Sequence, residues 1–236
     1  WVLVLRKDGP RRFASAEDKQ RRRHSAYFWE ERNRWFSDLW ELTGSRQELP
    51  AAGRPRQRSA AFPLELACRL VQMFSLQEDT VLDPFLGSGT TLFAAALSGR
   101  NGIGVEIEPG LLPAAGQGLG RLPALAGERL AARLAAHRQL VEERRRRGLP
   151  VEHRSLRYGL PVVSRQEREM RLPLLTGARA VPGAPGQWEV SYTEPSAAGE
   201  VETGSLQGSP DGQQELFSVS KTRGSSSAHG GESSGP

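Results

Sequence analysis

With 236 residues the chain has the length of one domain plus an appendage, enough to bury a real core. Only 37% of the residues are hydrophobic, mean hydropathy is −0.50, and there are 26 glycines and 16 prolines, so a sizeable part is not expected to pack. Net charge is +5, Cys68 is the single cysteine, and no apolar run nears the roughly 20 residues that cross a bilayer, so membrane, secreted and disulfide-framework classes fall away and a cytoplasmic protein is expected.

The charge is segregated along the chain. Residues 1–58 carry 14 basic against 8 acidic side chains and residues 121–171 carry 13 against 6, whereas residues 59–120 and 189–236 are acidic on balance. Two basic flanks around a compact acidic block suit a polyanion gripped beside a core that holds something else. The competing reading is a solvated, arginine-rich surface.

Trp1–Leu5 (WVLVL) reads as a short buried strand. The arginine-rich stretch Asp18–Asn33 embeds Tyr27, Phe28 and Trp29, and Trp35 to Trp40 follows; these aromatics read first as packing anchors and second as platforms for bases. Pro63–Phe74 predicts a helix, with proline at its start and Leu66, Leu70, Val71 and Phe74 at helical spacing. Thr80–Leu82 predicts a strand, Asp83–Thr90 a glycine-bearing turn, Thr91–Ser98 a helix and Asn101–Ile107 a second strand. Strand, turn, helix, strand is a βαβ unit and implies a parallel α/β sheet with a right-handed crossover. Gly110–Gly120, rich in glycine and proline, breaks the helix that such a strand would ordinarily lead into. From Glu194 the composition shifts to Ser, Gly, Glu and Gln, which predicts a disordered tail.

The turn carries the chemistry. Glycines at 87 and 89 let a ligand approach the backbone, and the following helix start offers unpaired N–H groups. A triphosphate grip would need the lysine of GxxxxGK[ST], and a dinucleotide fingerprint would need a third glycine; this turn has neither. Glu106 ends the second strand 17 positions after Gly89, where a carboxylate can accept hydrogen bonds from ribose hydroxyls; its plain reading is a surface glutamate. Asp83 could receive an amino group or cap the turn. No metal-ligand pattern is expected.

Residues 59–109 (SAAFPLELACRL…DPFLGSGTT…GIGVEIEP) resemble the cofactor core of the DNA amino-methyltransferases that modify adenine N6 or cytosine N4. The order is similar to the permuted β group, in which an (H)PAxFP helix precedes the DPFxGSGTT turn and a GxE strand. Phe36–Leu42 and Tyr158–Glu167 resemble that group's flanking segments. The resemblance implies a Rossmann-like S-adenosylmethionine-dependent methyltransferase fold with a partial parallel sheet, and S-adenosylmethionine as cofactor. It implies Ser59 and Ala60 near the methionine end, Phe62 and Pro63 closing over the cofactor, and Asp83, Phe85, Gly87, Ser88, Gly89, Thr90 and Thr91 along its amino-acid and ribose side. Glu106 would hold the ribose hydroxyls. Ser59-Ala60-Ala61 departs from the His-Pro-Ala of many members.

The implied partners are double-stranded DNA and a cognate restriction endonuclease. The family's [DNS]PP[YFW] motif, which holds the target amino group, is missing, because no Pro-Pro dipeptide occurs in the chain. In the β group that motif precedes the cofactor core, so the expected reading is the C-terminal part of a methyltransferase without catalytic residues of its own. Such a part is expected to be unstable or aggregation-prone alone, since parallel strands bury both faces. The expected division is 1–58 as the end of a catalytic half and a basic lead-in, 59–120 as the cofactor core, 121–190 as a basic helical accessory segment and 191–236 as the tail. The alternative in a different class is a non-catalytic remnant or accessory subunit that binds cofactor or nucleic acid; an oxidoreductase using a dinucleotide ranks third.

Overall fold

The computed structural model describes residues 2–42, 62–195 and 214–221. Two short helices come first, α1 (Ala16–His24) and α2 (Trp29–Trp35). Ser15 caps α1: its hydroxyl accepts from the Asp18 amide at 2.9 Å while Asp18 reaches back to the Ser15 amide, the reciprocal pair of a capping box.

Helix α3 (Leu64–Phe74) lies where the periodicity predicts it, but its buried face is Ala67, Cys68 and Val71. Phe74 is half exposed, and Leu66 and Leu70 are only partly buried. The small side chains let α3 lie close on Ala94 of the next helix, which turns the bulkier stripe aside.

Strand β1 (Thr80–Asp83), helix α4 (Thr90–Leu97) and strand β2 (Asn101–Glu106) form the expected βαβ unit, with β1 and β2 parallel and Leu82 opposite Ile103. The sheet continues in the order β1-β2-β7-β6-β5. Strands β5 (Leu174–Ala180) and β6 (Gln187–Thr193) form an antiparallel hairpin, and β7 (Gln214–Lys221) runs parallel to β2 and antiparallel to β6. A small pair, β3 (His153–Arg154) and β4 (Pro161–Val162), stands apart. Strand β7 and the last three residues of β6 therefore fall in the segment expected as a tail; in β6 the alternation Gln-Trp-Glu-Val-Ser-Tyr-Thr fits a pleated, half-buried surface. The rest of that segment lies outside the described residues.

Two expectations are corrected. Of the strand expected at Trp1–Leu5, Trp1 lies outside the described residues and Val2–Leu5 is not a strand: these four residues are exposed, and no described strand offers them a ladder or an apolar face. Gly110–Gly120 does not break the chain into coil: after a 3-10 turn at Pro109–Leu111, helix α5 runs unbroken from Leu112 to Arg146 through Gly116, Gly118, Gly120 and Pro123. Two of these glycines leave room that neighbouring rings occupy. A Cβ at Gly118 would overlap the Phe93 ring, and one at Gly116 would come within 3.0 Å of Trp188. Burying Leu119, Leu122, Leu130 and Leu134 against α4, β5 and β6 outweighs the helix cost of about 1 kcal/mol per glycine.

The largest core cluster joins α4, α5, β5 and β6 with Phe28, Tyr158, Met170 and Leu172 from the connecting segments. Of the lead-in aromatics, Phe28 is fully buried and Trp35 nearly so, as packing anchors, whereas Phe36 is half exposed. No helix among the described residues is long and apolar enough to cross a membrane.

Candidate functional site

The site is built where β1 hands over to α4. At the end of β1 the Asp83 carboxylate accepts from the Phe85 amide at 3.0 Å, so of its two possible roles the structure shows the turn cap. The chain then folds back onto β2, where the Leu86 amide donates to the Val105 carbonyl at 2.9 Å and the Gly89 amide to the Leu86 carbonyl at 3.0 Å. Gly87 (φ +55°) and Gly89 (φ +93°) take the left-handed conformations that the reversal demands. Gly89 is the N-cap of α4, and a Cβ there would sit 3.1 Å from Ala115.

Glu106 clamps this turn. It is only 8% exposed, and its two oxygens accept separately from the Gly87 amide at 2.7 Å and the Glu108 amide at 2.9 Å. The plain reading as a surface glutamate is thereby excluded. A carboxylate has about four lone-pair sites, so two amide bonds leave acceptor capacity for ligand hydroxyls.

The structure brings together Asp83, Phe85, Gly87, Ser88, Gly89, Thr90, Thr91 and Glu106 around one turn. Thr90 and Thr91 form the first turn of α4, whose leading amides have no partner within the helix. The Phe85 ring is 88% exposed beside them. Phe62 and Pro63 stand at the start of α3, with Pro63 as its N-cap, and α3 packs on α4. Ser59 and Ala60 lie outside the described residues. No lysine or arginine lies between Asp83 and Thr91, so the turn is equipped to bind by backbone hydrogen bonds and one carboxylate.

Three supporting residues escape sequence reasoning. Leu86 is buried over β2 and Gly104 makes room for it, since a Cβ at Gly104 would lie 2.7 Å from the Leu86 side chain. Ala115 of α5 completes a small apolar cluster with Leu86 and Leu92. The second glycine of NGIGVEI was the available signal for Gly104; Ala115 gave none.

The basic flanks are partly consumed by internal pairs. Arg11 meets Asp79 at 2.5 Å, Arg23 meets Glu169 at 2.8 Å, and Arg133 meets buried Glu31 at 2.6 Å. Arg157 and Arg171 share Glu194. Arg144 lies over the Trp29 ring, while Arg145 and Arg146 remain exposed at the end of α5.

Residues 2–117 match the DNA methylase family model of N6/N4 type. A type II methyltransferase of Methanothermobacter thermautotrophicus is 43% identical over 173 residues, which cover 73% of this chain and 47% of that protein. A type II methyltransferase of Methanocaldococcus jannaschii is 49% identical over 113 residues, 48% of this chain and 36% of that protein. A structure described as a DNA modification methylase of Thermus thermophilus, complexed with S-adenosyl-L-methionine, is 39% identical over 50% of this chain and 41% of that one, with a TM-score of 0.38. The chain thus spans less than half the length of these relatives. The match across residues 2–117 takes in the whole DPFLGSGTT turn and Glu106, so this part of the chain is similar to the N6/N4 DNA methylase family.

Proposed function

We propose that the turn between β1 and α4 binds S-adenosylmethionine, and that the protein methylates the exocyclic amino group of adenine (N6) or cytosine (N4) in double-stranded DNA. The observation that carries this reading is the Glu106 clamp: one buried carboxylate fixes a left-handed glycine turn at the start of a helix and keeps acceptor capacity to spare. The residues present fit the cofactor. Above Gly87 a Cβ would meet nothing closer than 3.9 Å, so the backbone is open to a ligand there. Gly87, Ser88, Gly89, Thr90 and Thr91 would bind its amino-acid part, Glu106 its ribose, and Phe85 with Phe62 and Pro63 would cover it, with Ser59 and Ala60 at the methionine end. Bound S-adenosylmethionine supplies an activated methyl group.

The 236 residues contain no [DNS]PP[YFW] tetrapeptide, and this favours a division of labour. In our reading these residues bind the cofactor, and the group that holds the flipped base is supplied from outside them. The basic flanks add sequence-independent phosphate contacts. The setting is cytoplasmic, alongside a restriction endonuclease of the same specificity. A second reading, resting on the same missing tetrapeptide, is a subunit that binds cofactor or nucleic acid without transferring a methyl group.

Titration calorimetry with S-adenosylmethionine and with NAD tests the assignment. Binding of the first only, weakened at least tenfold in Glu106→Ala, is the expected result, since a hydrogen bond to a charged group contributes about 1.5–3 kcal/mol. No binding of S-adenosylmethionine would overturn it. Methyl incorporation into DNA by the 236 residues alone would show that they need no outside catalytic group.

A further inference from the structure

A second polar centre lies away from the turn, where α2, α5 and the 160s segment meet. His137 on α5 is almost fully buried, its ring stacked on Phe28 at 4.0 Å between centroids and 16° between planes. Its Nδ1 lies 3.0 and 3.3 Å from the two carboxylate oxygens of Glu30, and its Nε2 lies 2.9 Å from the Pro161 carbonyl oxygen. Both neighbours are acceptors without a proton to give. A neutral imidazole has one N–H, so either tautomer would set a ring lone pair against an oxygen lone pair; only the doubly protonated ring satisfies both contacts.

We infer that His137 is held as an imidazolium ion that pins α2 and the Pro161 segment to α5, so that this junction loosens as pH rises and the ring loses its second proton. The charges facing it agree. Glu30 comes from α2 and Glu167 from the 3-10 turn Arg165–Glu169, with ligand-type atoms of all three side chains within 4.8 Å of one another. Glu31 of α2 is already paired with Arg133, one helical turn before His137. Glu167 in turn accepts from the Trp29 amide at 2.9 Å and the Ser164 amide at 2.5 Å, which fixes the acid in place. Burial alone lowers the imidazole pKa, but the Glu30 hydrogen bond and charge, with the Pro161 carbonyl and Glu167, raise it above the ordinary value. With a raised folded-state value, the stabilisation is complete below the unfolded imidazole pKa of about 6.5 and is lost as pH rises through the folded value.

The test is nitrogen NMR of the full chain labelled in its four histidines, between about pH 5.5 and 9, with His137 assigned by its loss in His137→Gln. The expected result is a His137 ring protonated at both nitrogens near pH 6.5 and titrating above the ordinary imidazole value. Glu30→Gln, which keeps the shape and an acceptor, is expected to bring that titration down towards the ordinary range. Thermal melts add a second readout, in which the Tm advantage of wild type over His137→Gln shrinks as pH rises. A singly protonated His137 at pH 6.5 would overturn the inference, as would a Tm gap that is flat with pH. The same three side chains could instead ligate a divalent cation, so stabilisation by zinc with loss in EDTA would also overturn it.

Discussion

Glu106 shows how much one side chain decides. It fastens the turn through two amides, so a substitution acts on the fold as well as on any ligand. Glu106→Gln presents an amide group where both partners are donors, and one backbone N–H loses its acceptor. Urea unfolding should report a loss of about 1–3 kcal/mol. Tyr158 is a comparable anchor: its hydroxyl accepts from the buried Leu172 amide at 2.8 Å, and burial pushes its pKa up to about 12. Tyr158→Phe should therefore cost about 1–3 kcal/mol in the same measurement. Cys68, buried against Ala94 with its thiol pushed up to about 11 by desolvation, should not react with a disulfide reagent near pH 8 until the protein unfolds. Rapid titration of one thiol under native conditions would contradict that burial.

At the scale of elements, the βαβ unit was legible because each signal was local. The βαβ strand boundaries follow from short apolar runs, the turn from Asp83-Pro84 and two glycines, and the place of Glu106 from its 17-residue spacing, whereas its clamp on the Gly87 and Glu108 amides had no sequence signal. What was not legible depended on partners distant in sequence. Val2–Leu5 has the composition of a strand but no strand among the described residues to pair with, and Gly116 and Gly118 look like breakers until Trp188 and Phe93 are seen to need the space. The face that α3 buries was set by Ala94, which no periodicity within α3 could reveal. Ser59 and Ala60, proposed at the methionine end, fall outside the described residues. The packing of α5 makes a sharp prediction. Gly118→Ala improves intrinsic helix propensity yet collides with Phe93, so it should lower Tm; Gly120→Ala, with nothing within 4 Å, should raise stability by about 0.4–1 kcal/mol.

At the scale of the whole molecule, one face of the parallel pair has no cover among the described residues. Leu82 (60% exposed) and Ile103 (38%) lie side by side on it, with Ile107 beyond at 85%, whereas α3 and α4 cover the other face. Parallel strands ordinarily bury both faces, so this surface should drive self-association. Light scattering should show larger species for the wild-type chain, reduced by the pair Leu82→Thr and Ile103→Thr; equal, monomeric scattering from both would contradict it.

The ion pairs described above also set an order of events. Arg133 bonds Glu31 across 102 residues, and Glu167 bonds the Trp29 amide across 138. During synthesis α2 leaves the ribosome well before Arg133 and Glu167, the residues that hold it, are made. The β1-α4-β2 unit, in contrast, closes within about thirty residues and can form while the rest is still being translated. Helix α2 thus docks long after it is made, and the dense arginine and glutamate content around it keeps that waiting segment hydrated in the interval.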